Sequence, residues 1–118
     1  MLYYQHIKKI SQEDPDAIAI IYKKKPIRYV FLQELIDQRI LELSDFKSRN
    51  REKVAMLLKH SPEHLITFIA LNYLGKIVVP INPKFPNKLV KLIFRELDIK
   101  IVVSNGKKNL ISYFDKSI

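Results

Sequence analysis

The segment "HSPEH", residues 60 to 64, comes nearest to a recognisable reaction centre in this sequence. Its H-x-x-E-H spacing is that of inverted zinc proteases, in which two histidines bind zinc and the glutamate acts as a base. The two imidazoles can share one metal only if helix runs through both, whereas Ser61-Pro62 is typical of a helix start. We therefore expect His60 to lie on the preceding turn, and we favour ordinary histidines over a metal site.

Other reaction centres lack the residues that they need. The chain has two glycines, Gly75 and Gly106, so it contains neither a P-loop nor a G-x-G-x-x-G motif that could cradle phosphate. A G-x-S-x-G nucleophile elbow is also missing from the sequence. Glu34 is expected on the solvent face of a helix and Asp98 near a helix end, where carboxylates are ordinary. We assign no catalytic, cofactor-binding or metal-ligating residue.

Length and composition predict one cytoplasmic domain. The 118 residues are 47% hydrophobic, which is enough for a folded core. The absence of cysteine excludes disulfides and thiolate metal sites. Residues 1–13 form an N-terminal extension without the apolar core of a signal peptide. The longest apolar run, "LITFIALNYLG", is far shorter than a membrane span of about 20 residues.

The net charge of +9 raises the question of an anionic partner. The 21 lysines and arginines are scattered along the chain, among them Lys8, Lys9, Lys23 to Lys25, Arg49, Arg51, Lys84, Lys88, Lys91, Lys107 and Lys108. We expect no helix with a basic stripe interleaved with aromatic residues, and no nucleic-acid-binding signature is present. A solvated, lysine-rich surface is the favoured interpretation, with no nucleic acid as a partner.

The first half of the chain predicts a β-hairpin and an amphipathic helix. "AIAIIY" (17–22) and "IRYVF" (27–31) are β-rich runs separated by a polar turn, Lys23 to Pro26. From Phe31 onward, apolar residues recur every three or four positions, as they do on one face of a helix: Leu32, Leu35, Ile36, Ile40 and Leu43.

The second half alternates strands and helices. Strands are predicted over 53–58, 77–81 and 99–105, and helices over 62–74 and from Pro86 to about Leu97. Ser61 is expected to cap the first of these helices, and Gly75 to end it in a left-handed conformation. Residues 106–118 form a possible truncated end, and the segment "KNLISYF" (108–114) within it is predicted to be either a helix or a strand. The fold class is therefore α/β: a three-layer, mostly parallel sheet with helices on both faces, plus an N-terminal β-hairpin.

The segment "VPINPKFP" carries three of the six prolines of the chain. Proline fixes its own φ and holds the preceding residue extended, so we expect a rigid exit from the strand. Asn82 is expected to offer its side chain to nearby backbone donors. On the helix that follows, Leu89 and Ile93 are expected to be buried.

Three segments together resemble the adenylate-forming superfamily of acyl-CoA synthetases, nonribosomal peptide adenylation domains and luciferases. They are "EDPDAIAII", "FLQELIDQRI" and "KVAMLLKHSPEHLITFIALNYLGKIVVPINPKFP". The resemblance runs from about Asp14 to Asn105. Residues 79–106 look most like o-succinylbenzoate-CoA ligases of menaquinone synthesis. Phe31-Leu32 stand where the family usually has Thr-Tyr, so a capping hydroxyl is missing, and His60 and Lys76 also depart from the usual pattern.

The resemblance implies an N-terminal subdomain of an acid-thiol ligase, which forms an acyl-adenylate and then an acyl-CoA thioester. ATP, Mg²⁺ and coenzyme A are implied for the full-length enzyme. The family's phosphate loop and catalytic lysine lie beyond Ile118, so we expect the isolated chain to be inactive. Its partner would be the remainder of the ligase, or a second copy through exposed apolar surface.

The alternative is a stand-alone basic α/β module that binds an acidic partner. The coding sequence after Ile118 discriminates between the two, because a phosphate loop within a few dozen codons would indicate a ligase fragment.

Overall fold

The computed structural model describes residues 2–44, 51–104 and 111–113. Its elements, in chain order, are α1 (Leu2–Glu13), β1 (Ile18–Tyr22), β2 (Lys25–Arg28), α2 (Tyr29–Ser44), β3 (Lys53–Leu57), α3 (Pro62–Tyr73), β4 (Ile77–Pro80), α4 (Asn87–Glu96), β5 (Ile101–Ser104) and β6 (Ile111–Tyr113). The predicted hairpin, helices and strands are present. The three predicted parallel strands are each shorter than expected.

The main sheet has the strand order β4-β3-β5-β6. β3 lies in parallel between β4 and β5, with Val54 opposite Val78 on one side and Ile101 on the other. β6 adds an antiparallel edge to β5, which answers the open question of helix or strand for 111–113. The α/β fold class with a mostly parallel sheet is confirmed.

Alternating strand residues supply two cores, one on each face of the sheet. Val54 packs towards α2 and α3 with Leu43, Ala70 and Leu71. The next residue, Ala55, packs with Phe94 towards α4 on the opposite face. Successive strand side chains point to opposite faces, so two adjacent fully buried residues require a covered sheet on both sides. The helices therefore form the outer layers of a three-layer structure.

A third core joins α1, the hairpin, α2 and α3. Its buried residues are Leu32, Ile36, Ile66 and Ile69. Tyr4 of α1 packs on Tyr73 with ring centroids 4.6 Å apart, and its hydroxyl donates to Asp37 Oδ1 at 2.8 Å. Burial, assisted by Asp37, raises the pKa of Tyr4 to about 12. The N-terminal extension thus contains a packed helix, which the sequence analysis did not predict.

The turn of the β-hairpin is tighter than expected. Tyr22 pairs with Lys25, so the loop consists of Lys23 and Lys24 alone, while Lys25 and Pro26 belong to β2. Both loop residues have positive φ, 50° and 66°. A two-residue hairpin requires this backbone because its twist matches that of the strands, and asparagine and glycine adopt it most easily. The two lysines therefore hold an unfavourable conformation.

Replacing Lys24 with glycine is expected to raise the free energy of unfolding by about 0.5–1 kcal/mol. Relief of the left-handed conformation outweighs the greater chain entropy of glycine. Urea melts of the variant measure the gain. Lys25→Gly is the matched control, and it should destabilise the hairpin because Lys25 lies in the paired strand. A gain for Lys25→Gly and none for Lys24→Gly would contradict the expectation.

The start of α2 lies two residues before the expected Phe31. Its first amides are satisfied by the preceding loop: Tyr29 N donates to Ala17 O at 2.9 Å, and Val30 N to Pro15 O at 3.1 Å. Leu32 is 2% exposed and lies inside the helix. Loop carbonyl groups thus accept hydrogen bonds from this helix end, where the family resemblance had pointed to a missing hydroxyl cap.

Both crossover helices end in the same hydrogen-bonded turn. After α3, Lys76 N donates to Leu71 O and Gly75 N to Asn72 O, with Gly75 at φ 78°. After α4, Ile99 N donates to Phe94 O and Asp98 N to Arg95 O, with Asp98 at φ 56°. This is the pattern of a Schellman motif, which needs one left-handed residue. The predicted role of Gly75 is confirmed.

Two other local expectations were wrong. Ser61 makes no side-chain cap on α3, since its hydroxyl donates instead to Lys59 O at 3.1 Å. Leu89 is 38% exposed, because α4 turns Phe94, at 3%, towards the sheet. Ile93 is partly buried against the same core, in line with its predicted position.

Candidate functional site

The loops that follow β3 and β4 meet at one edge of the sheet. Parallel strands place their carboxyl ends together, and ligands of open α/β sheets bind there. Beyond β3 the chain passes through residues 58–61, and beyond β4 through residues 81–86, with Ile81 N still bonded to Met56 O at 3.0 Å. These two loops form what we call the carboxyl-edge cleft.

The carboxyl-edge cleft consists of two adjoining cavities. One, of about 280 Å³, is lined by Leu58, His60, His64, Pro80, Ile81, Asn82 and Pro83. The other, of about 610 Å³, is lined by Lys59, His60, Asn82, Pro83 and Lys84. His60 and Asn82 therefore contact both cavities, and the predicted proline-rich exit supplies one wall.

The two histidines of the cleft lie side by side without sharing a helix. The ring centroids of His60 and His64 are 5.7 Å apart, and α3 begins at Pro62, as the sequence predicts. Among the described residues, no group of three or more His, Cys, Asp or Glu side chains could hold a metal ion. Burial, and secondarily the charge of His60, lowers the pKa of His64. A neutral His64 can donate and accept hydrogen bonds at once.

The depressed pKa of His64 predicts a pH-dependent stability. The unfolded chain binds the proton more readily than the folded chain, so the free energy of unfolding falls as the pH drops below about 6.5. His64→Gln should lose less stability than the wild-type chain over this acidic range. Urea melts above and below pH 6.5 measure the difference. A pH profile unchanged in His64→Gln, with His6→Gln as control, would contradict the assignment.

The charge of the cleft favours an anionic group. Lys59 and Lys84 line its wider part, and no carboxylate is found among the described residues that line either cavity. The amino end of the 12-residue helix α3, which carries a partial positive charge, lies beside the cleft. The sequence analysis treated Lys84 as an ordinary surface charge and did not single out Lys59. Their position after two neighbouring parallel strands was the available signal.

The proline-rich wall is a hydrogen-bonded turn. Phe85 N donates to Asn82 O at 3.0 Å, and Lys84 N donates to Asn82 Oδ1 at 2.9 Å. Pro83 is thus the second residue of a four-residue turn, where its fixed φ suits the backbone. The expectation that the Asn82 side chain accepts from backbone donors is confirmed.

Pro83→Ala is expected to lower the free energy of unfolding by about 0.4–1 kcal/mol. The substitution mainly frees the unfolded chain, because the Asn82 bonds to Lys84 and Phe85 do not involve Pro83. Urea melts test the value. A loss of several kcal/mol would show that Pro83 itself makes a specific native contact.

Polar contacts behind the cleft fix α3 against α2. Arg39 of α2 donates through Nη1 to Thr67 Oγ1 and through Nη2 to Glu63 Oε2. Thr67 is fully buried, and the Arg39 side chain is 14% exposed. Glu63, expected to meet the positive end of α3, does lie in its first turn and also anchors Arg39. These contacts set the position of the helix that carries His64.

The remaining predicted carboxylates lie away from this cleft. Glu34 is exposed on α2, as expected, and Asp98 follows α4 at the opposite end of the strands. Gly106 lies outside the described residues. Within the described part of the chain, no helix is both long enough and apolar enough to cross a membrane.

Solved structures share this fold over most of the chain. The N-terminal subdomain of Klebsiella oxytoca NpsA, in complex with 3-hydroxyanthranilyl-AMSN, is 25% identical with a TM-score of 0.80. The similarity covers 88% of this chain and 27% of the NpsA chain. The N-terminal domain of FACL13 from Mycobacterium tuberculosis, at 20% identity and a TM-score of 0.76, shares the fold.

Curated relatives include proteins much longer than this chain. The L-allo-isoleucine:holo-[CmaA peptidyl-carrier protein] ligase of Pseudomonas savastanoi pv. glycinea is 27% identical over 80% of this chain and 16% of its own length. The N-(5-amino-5-carboxypentanoyl)-L-cysteinyl-D-valine synthase of Penicillium rubens is 25% identical over 81% of this chain, which spans 3% of that protein. The model of a family described as AMP-binding enzyme matches residues 7–116. The chain therefore belongs to the AMP-binding enzyme family and corresponds to the N-terminal part of such an adenylate-forming enzyme.

Proposed function

We propose that this chain is the N-terminal portion of an ATP-dependent acid-thiol ligase. Such an enzyme joins a carboxylic acid to ATP as an acyl-adenylate, releases pyrophosphate and passes the acyl group to a thiol. The family match over residues 7–116 carries the proposal. ATP, Mg²⁺ and coenzyme A would be bound by the complete enzyme, and this chain is proposed to contribute the charges of Lys59 and Lys84 near phosphate groups.

The carboxyl-edge cleft supports the proposal that this chain forms one wall of the active-site cleft of the complete enzyme. Adenylation passes through phosphate-bearing species, and the positive charges of Lys59 and Lys84 lower the energy of an anion nearby. A neutral, partly buried His64 adds a hydrogen-bonding group without a charge of its own. The reacting groups would be supplied by the segments that follow this portion in longer relatives.

An apolar surface beside the cleft supports the proposal that the remainder of the ligase packs against this chain. A cavity of about 520 Å³ is lined by Tyr3, His6, Ile7, Leu65, Phe68 and Ile69. Leu65 also lines a cavity with Ile21, which is 69% exposed at the hairpin. Such contiguous apolar surface on a basic chain indicates a surface that is covered in a larger assembly. Self-association through it is the competing outcome in the isolated chain.

The identity of the carboxylic acid that the complete enzyme would activate is also a proposal. The similarity of residues 79–106 to o-succinylbenzoate-CoA ligases names one candidate. The relatives that match include a synthase named for a cysteinyl-valine product and a ligase named for L-allo-isoleucine, and they favour an amino acid instead. The 3-hydroxyanthranilyl group in the NpsA complex makes aryl acids a third class of candidate substrate. All three classes belong in the substrate panel.

A chimera tests the proposal. The segment of Klebsiella oxytoca NpsA that aligns with this chain is replaced by this chain, and acid-dependent exchange of pyrophosphate into ATP is measured with 3-hydroxyanthranilate. We expect exchange by the chimera and none by the isolated chain. A chimera that unfolds cooperatively yet shows no exchange, or exchange by the purified chain alone, would overturn the proposal.

A charge-reversal pair tests the cleft itself. In the chimera, Lys59→Glu/Lys84→Glu should lower the exchange rate about tenfold, because two positive charges beside an anion become negative. Lys8→Glu/Lys9→Glu on exposed positions of α1 changes the net charge equally and is the matched control. Equal losses in both double variants would contradict a local role for the cleft lysines.

A further inference from the structure

The outer side of α4 carries a row of cations. Lys88, Lys91 and Arg95 are exposed and recur at the three- and four-residue spacing that places side chains on one face of a helix. Among the described residues, none of the three forms an ion pair. The sequence analysis had counted Lys88 and Lys91 among scattered charges and had not considered Arg95, although the predicted helix from Pro86 to about Leu97 contains all three.

Apolar side chains flank this row. Leu89 is 38% exposed and Leu92 is 53% exposed, and their spacing places them together beside the cations. Phe85, 39% exposed, lies just before the helix on the proline-rich turn. We call these residues the α4 surface: Phe85, Lys88, Leu89, Lys91, Leu92 and Arg95. None of these residues lines the two cavities of the carboxyl-edge cleft.

The charge at the amino end of α4 is unfavourable for the isolated helix, whereas Arg95 in the last turn is favourable. Its first turn contains Lys88 and no acidic residue. A cation there opposes the helix dipole, whereas an anion would stabilise it. Lys88 thus departs from the preference for acidic residues in the first turn of a helix, and no ion pair within the described residues offsets it. Departures of this kind are characteristic of functional surfaces. A negatively charged partner would supply the missing compensation.

We propose that the α4 surface binds an acidic protein segment whose carboxylates alternate with apolar side chains. The carboxylates would pair with Lys88, Lys91 and Arg95, and the apolar groups would cover Leu89 and Leu92. We choose an acidic partner because its negative charges complement the positive charges of the α4 surface.

Two other anionic partners fit the α4 surface less well. A membrane-surface helix buries its main apolar face in lipid, whereas α4 already packs Val90, Ile93 and Phe94 against the sheet. Nucleic acid offers phosphates to the cations but no apolar counterpart to Leu89 and Leu92.

The probe is a fluorescein-labelled amphipathic helical peptide of glutamate and leucine, and its binding to the full chain is followed by fluorescence anisotropy. We expect saturable binding that weakens with salt, and amide chemical-shift changes centred on α4. Lys88→Glu/Lys91→Glu should weaken it about tenfold through charge repulsion. Lys8→Glu/Lys9→Glu, with the same net charge, should weaken it less than about twofold, since scattered exposed charges act mainly through the screened overall field.

The variants separate binding from folding. Glutamate at position 88 suits the first turn of α4, so Lys88→Glu/Lys91→Glu is expected to remain folded, as circular dichroism can show. Leu92→Ser tests the apolar contribution and should also weaken binding. Equal losses in the two charge variants, no loss for Leu92→Ser, or preferential binding to phosphatidylserine vesicles or duplex DNA over the peptide would each overturn the proposal.

Discussion

Phe94→Ala is expected to lower the free energy of unfolding by about 3–5 kcal/mol. Phe94 is 3% exposed and packs with Ala55, Ile99 and Val102 on the α4 side of the sheet. Removing the ring leaves a cavity that the rigid strands cannot close, so the lost transfer energy and the cavity add together. Denaturant melts followed by circular dichroism measure the change.

Leu92→Ala on the same helix is the control for this loss. Leu92 is 53% exposed, so its replacement should cost less than about 1 kcal/mol and should preserve the helix propensity of α4. If the two variants were equally stable, α4 would not be held on the sheet by Phe94, and the three-layer packing would be wrong.

Arg39→Met is expected to lower the free energy of unfolding by about 1–3 kcal/mol. The change removes the donors to Thr67 Oγ1 and Glu63 Oε2, and Thr67 is fully buried. The Glu63 side chain is 45% exposed, so water can solvate it after the loss, which keeps the effect below that of a fully buried ion pair. Urea melts of the variant measure the loss.

Glu42→Gln isolates the exposed part of the same network. Glu42 Oε2 lies 3.3 Å from Arg39 Nε on the helix surface, and the Glu42 side chain is 44% exposed. Its neutralisation should cost at most about 0.5 kcal/mol. A larger effect for Glu42→Gln than for Arg39→Met would show that the surface pair, rather than the contacts to α3, holds Arg39 in place.

The sequence predicted those features that depend on local chemistry. Pro62 and Gly75 bound α3, and the apolar runs of the parallel strands required a sheet covered on both faces. What it missed depended on tertiary contacts. The N-terminal helix α1 is amphipathic, and it is positioned by packing such as that of Tyr4 on Tyr73. The exposure of Leu89 follows from the rotation of α4, which Phe94 decides.

The candidate site was only partly accessible to sequence reasoning. The proline-rich turn and the position of His60 outside the helix were predicted from backbone chemistry, because proline restricts its neighbours strongly. The proximity of Lys59 to Asn82 and Lys84 was not predicted. It arises from the parallel pairing of β3 and β4, which brings two loops distant in sequence to one edge. The alignment of the α4 cations could have been predicted from their spacing, but their lack of carboxylate partners depends on tertiary contacts.

The central position of β3 has a consequence for the order in which the chain can fold during synthesis. Val54, Ala55 and Met56 are fully buried, yet both neighbours of this strand, β4 and β5, are made after it. An emerging chain therefore displays a strand that is buried in the finished fold, with both of its edges unpaired, until Ile77–Pro80 leave the ribosome. Among the described elements, the hairpin, α1, α2 and α3 precede β4 and are the available cover for the side chains of β3 until then. A nascent chain stalled before β4 would be exposed to aggregation, and chaperone contact at this stage would protect it.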